Sequence, residues 1–350
     1  MEDLFSVIKP GFQAVELYVI KRLAGAFLPA FFIAGGIATF IPRHTIIRFL
    51  ARGVSPLVSY PISLVAGGVL SVCACGILPL FQTIYQRGAG IGPAITFLYA
   101  GPAINVIAIL FTFQLLGSSL GFARLLFVPV IALGLGFFLS RVFADFEDRR
   151  EGQAEMALVG GEKSSILSRT MLFIFLMGMV ITLPLEQISW EVKGPLNLVF
   201  LLVVVGIATT QLSRLERINW LDKSFFLLKN IVPKLILGVF IVGLLEPHAR
   251  VLMVDRLMDN GFVACLLASV IGGILYLGTI LGVIAVKGLT TMGMPDGPAL
   301  ALLLSGPTIA LPSVFVITSI CGFRISAAFC TLVILTSAVC GYFFAGGWIS

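Results

Sequence analysis

Long apolar segments follow one another, with short interruptions, along almost the whole of this sequence. A helix needs about 20 apolar residues to cross the ~30 Å hydrocarbon core of a bilayer, because it rises ~1.5 Å per residue. Each segment therefore predicts one crossing, and the chain predicts an all-α, polytopic bundle of about ten transmembrane helices. The segments lie at 23–42, 56–81, 91–116, 121–141, 170–187, 196–212, 231–247, 261–284, 297–320 and 325–347.

The composition excludes the main soluble classes. Hydrophobic residues make up 59% of the 350 residues and charged residues only 11%, against about 25% charged residues in a soluble domain. The net charge is +6, but the basic residues stand at the ends of apolar segments, so they indicate membrane topology and no nucleic-acid surface. The six cysteines lie in or beside apolar stretches, which is not the pattern of a secreted disulfide framework. The predicted surroundings are a lipid bilayer.

The segments divide the chain into five parts. Residues 1–22 predict an amphipathic helix in the membrane interface, or an N-terminal extension of the first span. Residues 144–168 are rich in charge, Gly and Ser and predict a linker between two halves. Residues 23–143 and 213–350 would form the two transmembrane repeats, and 169–212 two connecting spans. Most of the Lys and Arg residues fall on the side of the linker, so the positive-inside rule places both termini and the linker in the cytoplasm, at the inner membrane.

An internal repeat relates the two halves. When the sequence is displaced by 205 positions, Gly and Pro residues of the first half fall on Gly and Pro residues of the second without a gap. This register predicts a duplicated unit of four segments. Crossing by every segment would make the repeats parallel, whereas one re-entrant segment would make them inverted, and the sequence leaves both open. The matching pairs are Gly67–Gly272, Gly68–Gly273, Gly88–Gly293, Gly92–Gly297, Pro93–Pro298, Gly101–Gly306 and Pro102–Pro307.

Gly and Pro inside corresponding spans are typical of transporters, in which broken helices surround a site at the membrane midplane. Proline removes a backbone hydrogen bond and crowds the carbonyl four residues earlier. The alternative for any single glycine is ordinary packing of helices through small residues. We expect the central helices to be broken near five residues, with hinges or breaks at the first Gly-Pro pair of each half. The five residues are Gly76, Pro93, Pro102, Pro298 and Pro307. The residues of these two Gly-Pro pairs are Gly92, Pro93, Gly297 and Pro298.

Cys73 and Cys75 form the one closely spaced cysteine pair. On a regular helix they would point about 200° apart. Unwinding at Gly76 and Pro79 would bring both thiols and the carbonyl of Cys75 to one site, and thiolate sulfur is a ligand for soft metals and metalloids. The alternative is that both are small buried hydrophobic residues.

Polar side chains near the Gly-Pro pairs are candidates for lining the pathway, although a hydrogen bond between helices explains each equally well. Glu246 is a candidate for proton coupling, with snorkelling to the interface as the alternative. The sequence contains no Walker-type loop and predicts no cofactor, which leaves secondary transport or coupling to a separate ATPase. The candidate lining residues are Thr96, Asn105, Ser305 and Thr308, together with Gly101, Pro102, Gly306 and Pro307.

Three stretches carry a resemblance to a known family: Cys73-Ala74-Cys75-Gly76 followed by Pro79-Leu80, the stretch from Gly92 to Leu98, and the stretch from Ala100 to Asn105. Together they resemble the predicted-permease family that includes the ArsP organoarsenical efflux permeases. The resemblance implies an inner-membrane permease, and for some members efflux of trivalent methylated arsenicals or arsenite. Ala74 stands where the family often has Ser.

We interpret the chain as a permease for efflux of a soft metalloid or a small thiol-reactive solute. Three alternatives remain at this point: a membrane thiol redox enzyme that uses Cys73 and Cys75, a permease for another small anion or a metal, and a structural membrane component. The metal preference and the formation of a homo-oligomer are left open.

Overall fold

The computed structural model describes residues 16, 28–40, 43–51, 53–70, 74–144, 174, 176, 178, 190–257, 259–274 and 279–346. Most of these residues are helical, and none of them forms a β-strand, so the all-α prediction is confirmed. The amphipathic helix predicted at 1–22 lies outside the described residues except for Glu16, and the linker at 144–168 lies outside them except for Ala144.

In the first half the described helices are α1 (Leu28–Phe40), α2 (Arg43–Leu50), α3 (Pro56–Leu70), α4 (Ala74–Gln86), α5 (Ile91–Ala103), α6 (Val106–Leu116) and α7 (Ser118–Val142). In the rest of the chain they are α8 (Trp190–Thr210), α9 (Arg214–Arg256), α10 (Phe262–Ile274), α11 (Thr279–Thr291), α12 (Asp296–Ser305), α13 (Leu311–Cys321) and α14 (Phe323–Ala345).

Two of the described helices, α7 and α14, are long and apolar enough to cross a membrane by themselves. They contain 25 and 23 residues, which corresponds to about 35 Å of helix. The pair α5 and α6 forms a third candidate span, bent by 47°. The shorter apolar helices in the described part have 10 to 17 residues. The structure is that of a helical membrane protein, and the number of ten crossings stays a prediction.

The outer surface of α7 is apolar. Phe122, Leu126 and Val130 are spaced four residues apart on one face of the helix, and their exposed fractions are 62%, 53% and 60%. A continuous apolar face of this kind would be unfavourable in water. The face is therefore suited to contact with lipid tails.

Helices α5 and α12 form the buried centre of the molecule. Every residue of α5 is buried, as is every residue of α12 from Gly297 onward. Helix α5 packs against α3, α4 and α7, and α12 packs against α10, α11 and α14. Close approach depends on glycine, since a methyl group on Gly67 of α3 would lie 2.8 Å from the carbonyl oxygen of Phe97.

Helix boundaries recur at positions 205 residues apart. Helices α4, α6 and α7 begin at residues 74, 106 and 118, and α11, α13 and α14 begin at 279, 311 and 323. The described glycines with positive φ also form two such pairs, Gly88 (101°) with Gly293 (109°) and Gly117 (94°) with Gly322 (88°). A positive φ favours glycine, because a side chain would clash with the backbone. The recurrent glycines therefore mark the same turns in both halves.

The central helices end at the prolines near their C-termini. Pro102 lies in the last turn of α5, and Pro307 lies two residues after Ser305, the last residue of α12. Pro93 and Pro298 lie instead in the first turn of α5 and α12. The N–H groups of the first turn have no acceptor within the helix, so a proline there removes no helical hydrogen bond and does not break the helix.

The break that we expected near Gly76 stays a prediction, because residues 71–73, between α3 and α4, lie outside the described residues. Gly76 and Pro79 lie within α4, which is continuous from Ala74 to Gln86. Pro79 removes only the bond to the carbonyl of Cys75, one turn from the beginning of the helix, and membrane helices tolerate such a loss. The carbonyl of Pro79 itself accepts a hydrogen bond from the Thr83 hydroxyl at 2.8 Å.

Two cations cap the C-terminal end of α1. The ammonium of Lys223 in α9 donates to the carbonyl oxygen of Ala38 at 2.8 Å, and the guanidinium of Arg87 donates to the same oxygen. The last carbonyls of a helix lack an N–H partner and carry partial negative charge. Burial, and then the nearby Arg87, lower the pKa of Lys223.

Candidate substrate site at the helix breaks

The first break separates α5 from α6. Pro102 has no N–H to donate to the carbonyl of Leu98, and α5 ends one residue later. Asn105 then begins α6, because its side-chain oxygen accepts a hydrogen bond from the N–H of Ala108 at 3.1 Å. Asparagine is one of the favoured residues at this N-cap position. The Asn105 side chain, which we considered as a pathway residue, therefore serves as a helix cap.

A fully buried arginine stands beside this break. Arg124 of α7 has no exposed surface. Its guanidinium donates to the hydroxyl of Thr112 at 3.0 Å and to the carbonyl oxygen of Ala103 at 3.5 Å. Thr112 belongs to α6, and Ala103 is the last residue of α5. The side chain thus touches both helices that the break separates.

Sequence reasoning missed Arg124. The residue is a cation near the beginning of the apolar segment 121–141, and we considered only charges at other segment ends. An ionisable residue inside a span is costly and is usually functional. An arginine within an apolar segment can be recognised from the sequence alone, so Arg124 could have been identified as a candidate.

The second break separates α12 from α13 and contains Gly306, Pro307 and Thr308. The N–H of Gly306 donates to Leu302 at 2.9 Å and closes α12. The hydroxyl of Thr308 donates to the carbonyl of Ser305 at 2.9 Å. Ser305 is fully buried, and its hydroxyl has no hydrogen-bond partner among the described residues. Polar groups therefore gather at this break as well.

A hydrogen bond joins the two central helices. The hydroxyl of Tyr99 in α5 donates to the carbonyl oxygen of Leu304 in α12 at 3.1 Å, and Leu304 lies 205 residues after Tyr99. The structure thus links the first break, through α5, to the helix that ends at the second.

Two of the predicted lining residues mainly hold helices together. The hydroxyl of Thr96 donates to the carbonyl oxygen of Ala132 in α7 at 3.1 Å. A methyl group on Gly101 would lie 2.7 Å from the side chain of Ile77 in α4. The alternative of helix-to-helix contact therefore describes both residues.

The predicted hinge glycines are sites of close helix contact. A methyl group on Gly92 would lie 2.9 Å from the carbonyl oxygen of Gly136 in α7. In the second half, a methyl group on Gly297 would lie 3.0 Å from the carbonyl oxygen of Gly341 in α14. The two contacts occupy the same register positions in their halves.

Comparison with known proteins decides the family. Residues 10–346 match the family described as a predicted permease, ArsP_1. The chain belongs to this permease family. UPF0718 protein MJ0584 of Methanocaldococcus jannaschii is 37% identical over 356 residues, which cover 98% of this chain and 97% of that protein. No solved structure matches the chain.

Family membership confirms the resemblance that the Gly-Pro stretches indicated. With the apolar helices, it identifies the chain as a membrane permease, which is a transporter and not an enzyme. The alternative of a thiol redox enzyme is therefore not supported.

The cysteine pair of the permease is only partly described. Cys73 lies outside the described residues, and Cys75 lies in the first turn of α4 with its side chain outside them. The side chain of Glu246, in α9, is also outside the described part. The described side chains include no group of three His, Cys, Asp or Glu residues that could hold a metal ion. A thiol site at Cys73 and Cys75 and coupling through Glu246 remain predictions.

Proposed function

We propose that the chain is a secondary permease of the inner membrane whose solute passes between two related halves. The observation that carries the proposal is the junction of the central helices, where Tyr99 of α5 bonds to Leu304 of α12. Both helices end at a break, and a break frees backbone groups that a cavity or a solute can satisfy. Pro102 and Pro307 supply the breaks.

The pattern of helix contacts supports a two-fold relation between the halves. Helix α6 packs against α11, and α4 packs against α13. In the 205-residue register α6 corresponds to α13, and α4 corresponds to α11. The α6–α11 contact therefore becomes the α13–α4 contact when the two halves are exchanged. Helices α7 and α14 correspond to each other and also pack together. Rotation about a two-fold axis produces such exchange, and repeats related in this way are common in transporters.

We further propose that the solute is a soft metalloid or a small thiol-reactive compound such as a trivalent arsenical. The support is the resemblance to organoarsenical efflux permeases and the pair Cys73 and Cys75. Sulfur is a ligand for such soft centres. Cys75 lies at the beginning of α4, and α4 packs against the central helix α5.

Flux of trivalent methylarsenite into everted membrane vesicles tests this substrate. Wild type, Cys73→Ser and Cys75→Ser would be compared at equal protein level, with Cys340→Ser as the control, because Cys340 is a partly buried cysteine of α14. We expect each change in the pair to reduce flux strongly and the control to retain it. Equal flux in all four proteins would remove the thiols from the site but leave the permease proposal in place.

The proposed topology places both termini and the linker 144–168 in the cytoplasm, with the N-terminal helix 1–22 in the interface. Glu246 is the proposed site of proton coupling. Accessibility of single cysteines introduced at 155 and near the C-terminus, in a cysteine-free background, tests the orientation. We expect a membrane-impermeant maleimide to label both in everted vesicles and neither in intact cells.

A second candidate substrate, a small anion, is favoured by Arg124. This buried cation stands at the first break, next to Ala103.

A further inference from the structure

The guanidinium of Arg124 has fewer partners than it has donors. Arginine carries five N–H donors, and the described structure gives partners to two nitrogens, through Thr112 and Ala103. The Nε atom is buried and has no hydrogen-bond partner among the described residues. Donor capacity therefore remains at the α5–α6 break.

The charge of Arg124 is also incompletely balanced. In the described part of the chain, both hydrogen-bond acceptors of Arg124 are neutral groups and neither is a carboxylate. The C-terminal end of α5 supplies only a partial negative charge, equivalent to about half an elementary charge. A buried cation without a full countercharge is unfavourable in a bilayer. A bound anion would supply what is missing.

The corresponding position of the second half is packed without an arginine. The residue that corresponds to Arg124 in the second half is Phe329, which is fully buried in α14. The counterpart of Thr112 is Ile317, also fully buried. The second half thus has an apolar pair where the first half has a polar one. Since the helix boundaries agree, this difference points to a role other than folding.

We propose that Arg124 binds the anionic group of the transported solute, which makes the substrate a small oxyanion. This inference rests on the proposed permease function and, of its two candidate substrates, favours the small anion over an uncharged trivalent arsenical. The planar guanidinium matches the oxygen atoms of an oxyanion, and such charged hydrogen bonds are strong. Arg124 contacts both helices at the break and lies on α7, which also packs against α12 and α14 of the second half. An anion held there would lie at the α5–α6 break.

Binding of oxyanions to the full-length protein in detergent tests the proposal. Equilibrium dialysis with radiolabelled phosphate and arsenate would measure affinity, with uncharged arsenite as the comparison probe. The variants are Arg124→Gln, Arg124→Lys and the control Arg141→Gln, since Arg141 lies on the same helix with its side chain exposed over the Phe137 ring.

We expect saturable binding of at least one oxyanion by wild type and by the Arg141 control. Affinity should fall at least about tenfold in Arg124→Gln, because the charge is lost, and by a smaller factor in Arg124→Lys. Lysine keeps the charge but loses the planar fork. The lysine variant, whose fold can be checked by thermal unfolding, keeps the test decisive if the glutamine variant does not fold.

Two results would overturn the proposal: equal affinity in wild type and Arg124→Gln, or no saturable oxyanion binding by wild type. Either would leave Arg124 as a cap of α5. Methylarsenite flux separates this failure from that of the permease. Flux that persists with no oxyanion binding supports the permease without the anion site, whereas absence of flux for methylarsenite, phosphate and arsenate in wild-type vesicles contradicts the permease proposal itself.

Discussion

Tyr99 donates a hydrogen bond to the carbonyl oxygen of Leu304, the residue that occupies its own position in the second half of the chain. Both residues are fully buried. A buried hydroxyl and a buried carbonyl each lose their hydrogen bonds to water on folding. The hydrogen bond between them offsets this desolvation cost for both groups. The bond holds α5 against α12 at the centre of the molecule.

Replacement of Tyr99 by Phe should weaken this junction. Among the described residues, the carbonyl of Leu304 would then keep the 3.4 Å contact with the Thr308 hydroxyl. We expect the free energy of unfolding to fall by about 1 kcal/mol, measured by denaturant titration in detergent. Tyr342→Phe, on the partly exposed ring of α14, is the control and should have little effect. A loss of equal size in both variants would contradict a special role for the junction.

Two glycines on α7 should respond differently to alanine. A methyl group on Gly136 would lie 2.7 Å from the carbonyl oxygen of Gly92, whereas one on Gly134 would have no atom within 4 Å. We expect Gly136→Ala to destabilise the protein by about 1–3 kcal/mol through overpacking. Gly134→Ala should be neutral or slightly stabilising, because alanine favours helix. Thermal unfolding of the two variants, side by side, measures the difference.

The repeated Gly-Pro register allowed much of the central architecture to be predicted. Pro102 and Pro307 end helices because each lacks an N–H, and this property can be read from the sequence. Burial of α5 and α12 followed from their small residues. At Gly76 and Pro79 themselves the helix is continuous, because proline near the beginning of a membrane helix can be accommodated by its neighbours, and only the three-dimensional packing determines whether it is.

The polar part of the site was harder to predict. Asn105 was identified as a polar residue near a break, but its use as the cap of α6 depends on where that helix begins. Arg124 lies 19 residues after Asn105 in the sequence and meets the break only because α6 and α7 fold back on each other at Gly117. The positions of charged residues along the sequence do not show that Arg124 lies next to the α5–α6 break.

The cap of α6 gives a prediction that separates structure from transport. Asn105→Ala should lower the free energy of unfolding by about 1 kcal/mol, and Asn105→Ser should retain most of it, since serine is also a good N-cap. If Asn105 acts only as a cap, the serine variant should also keep the solute flux of wild type. Normal stability with lost flux in Asn105→Ser would indicate direct contact with the solute.

The difference between the halves at Arg124 allows the most demanding prediction. Thr112→Ile alone would remove the hydroxyl that accepts from the guanidinium and leave a buried charge with one long hydrogen bond. We expect a loss of about 1.5–3 kcal/mol in unfolding free energy, the range for hydrogen bonds to charged groups.

The double variant Thr112→Ile with Arg124→Phe would reproduce the apolar pair Ile317 and Phe329 of the second half. Replacement of a complete buried polar pair by apolar residues is often neutral or stabilising, so the double variant should recover most of the stability that the single change loses. It should nevertheless lose oxyanion binding, because the cation is absent. Unfolding in detergent and equilibrium dialysis measure the two properties on the same preparation. A double variant less stable than Thr112→Ile would mean that α7 needs the arginine for folding, and the charge would then be explained by structure alone.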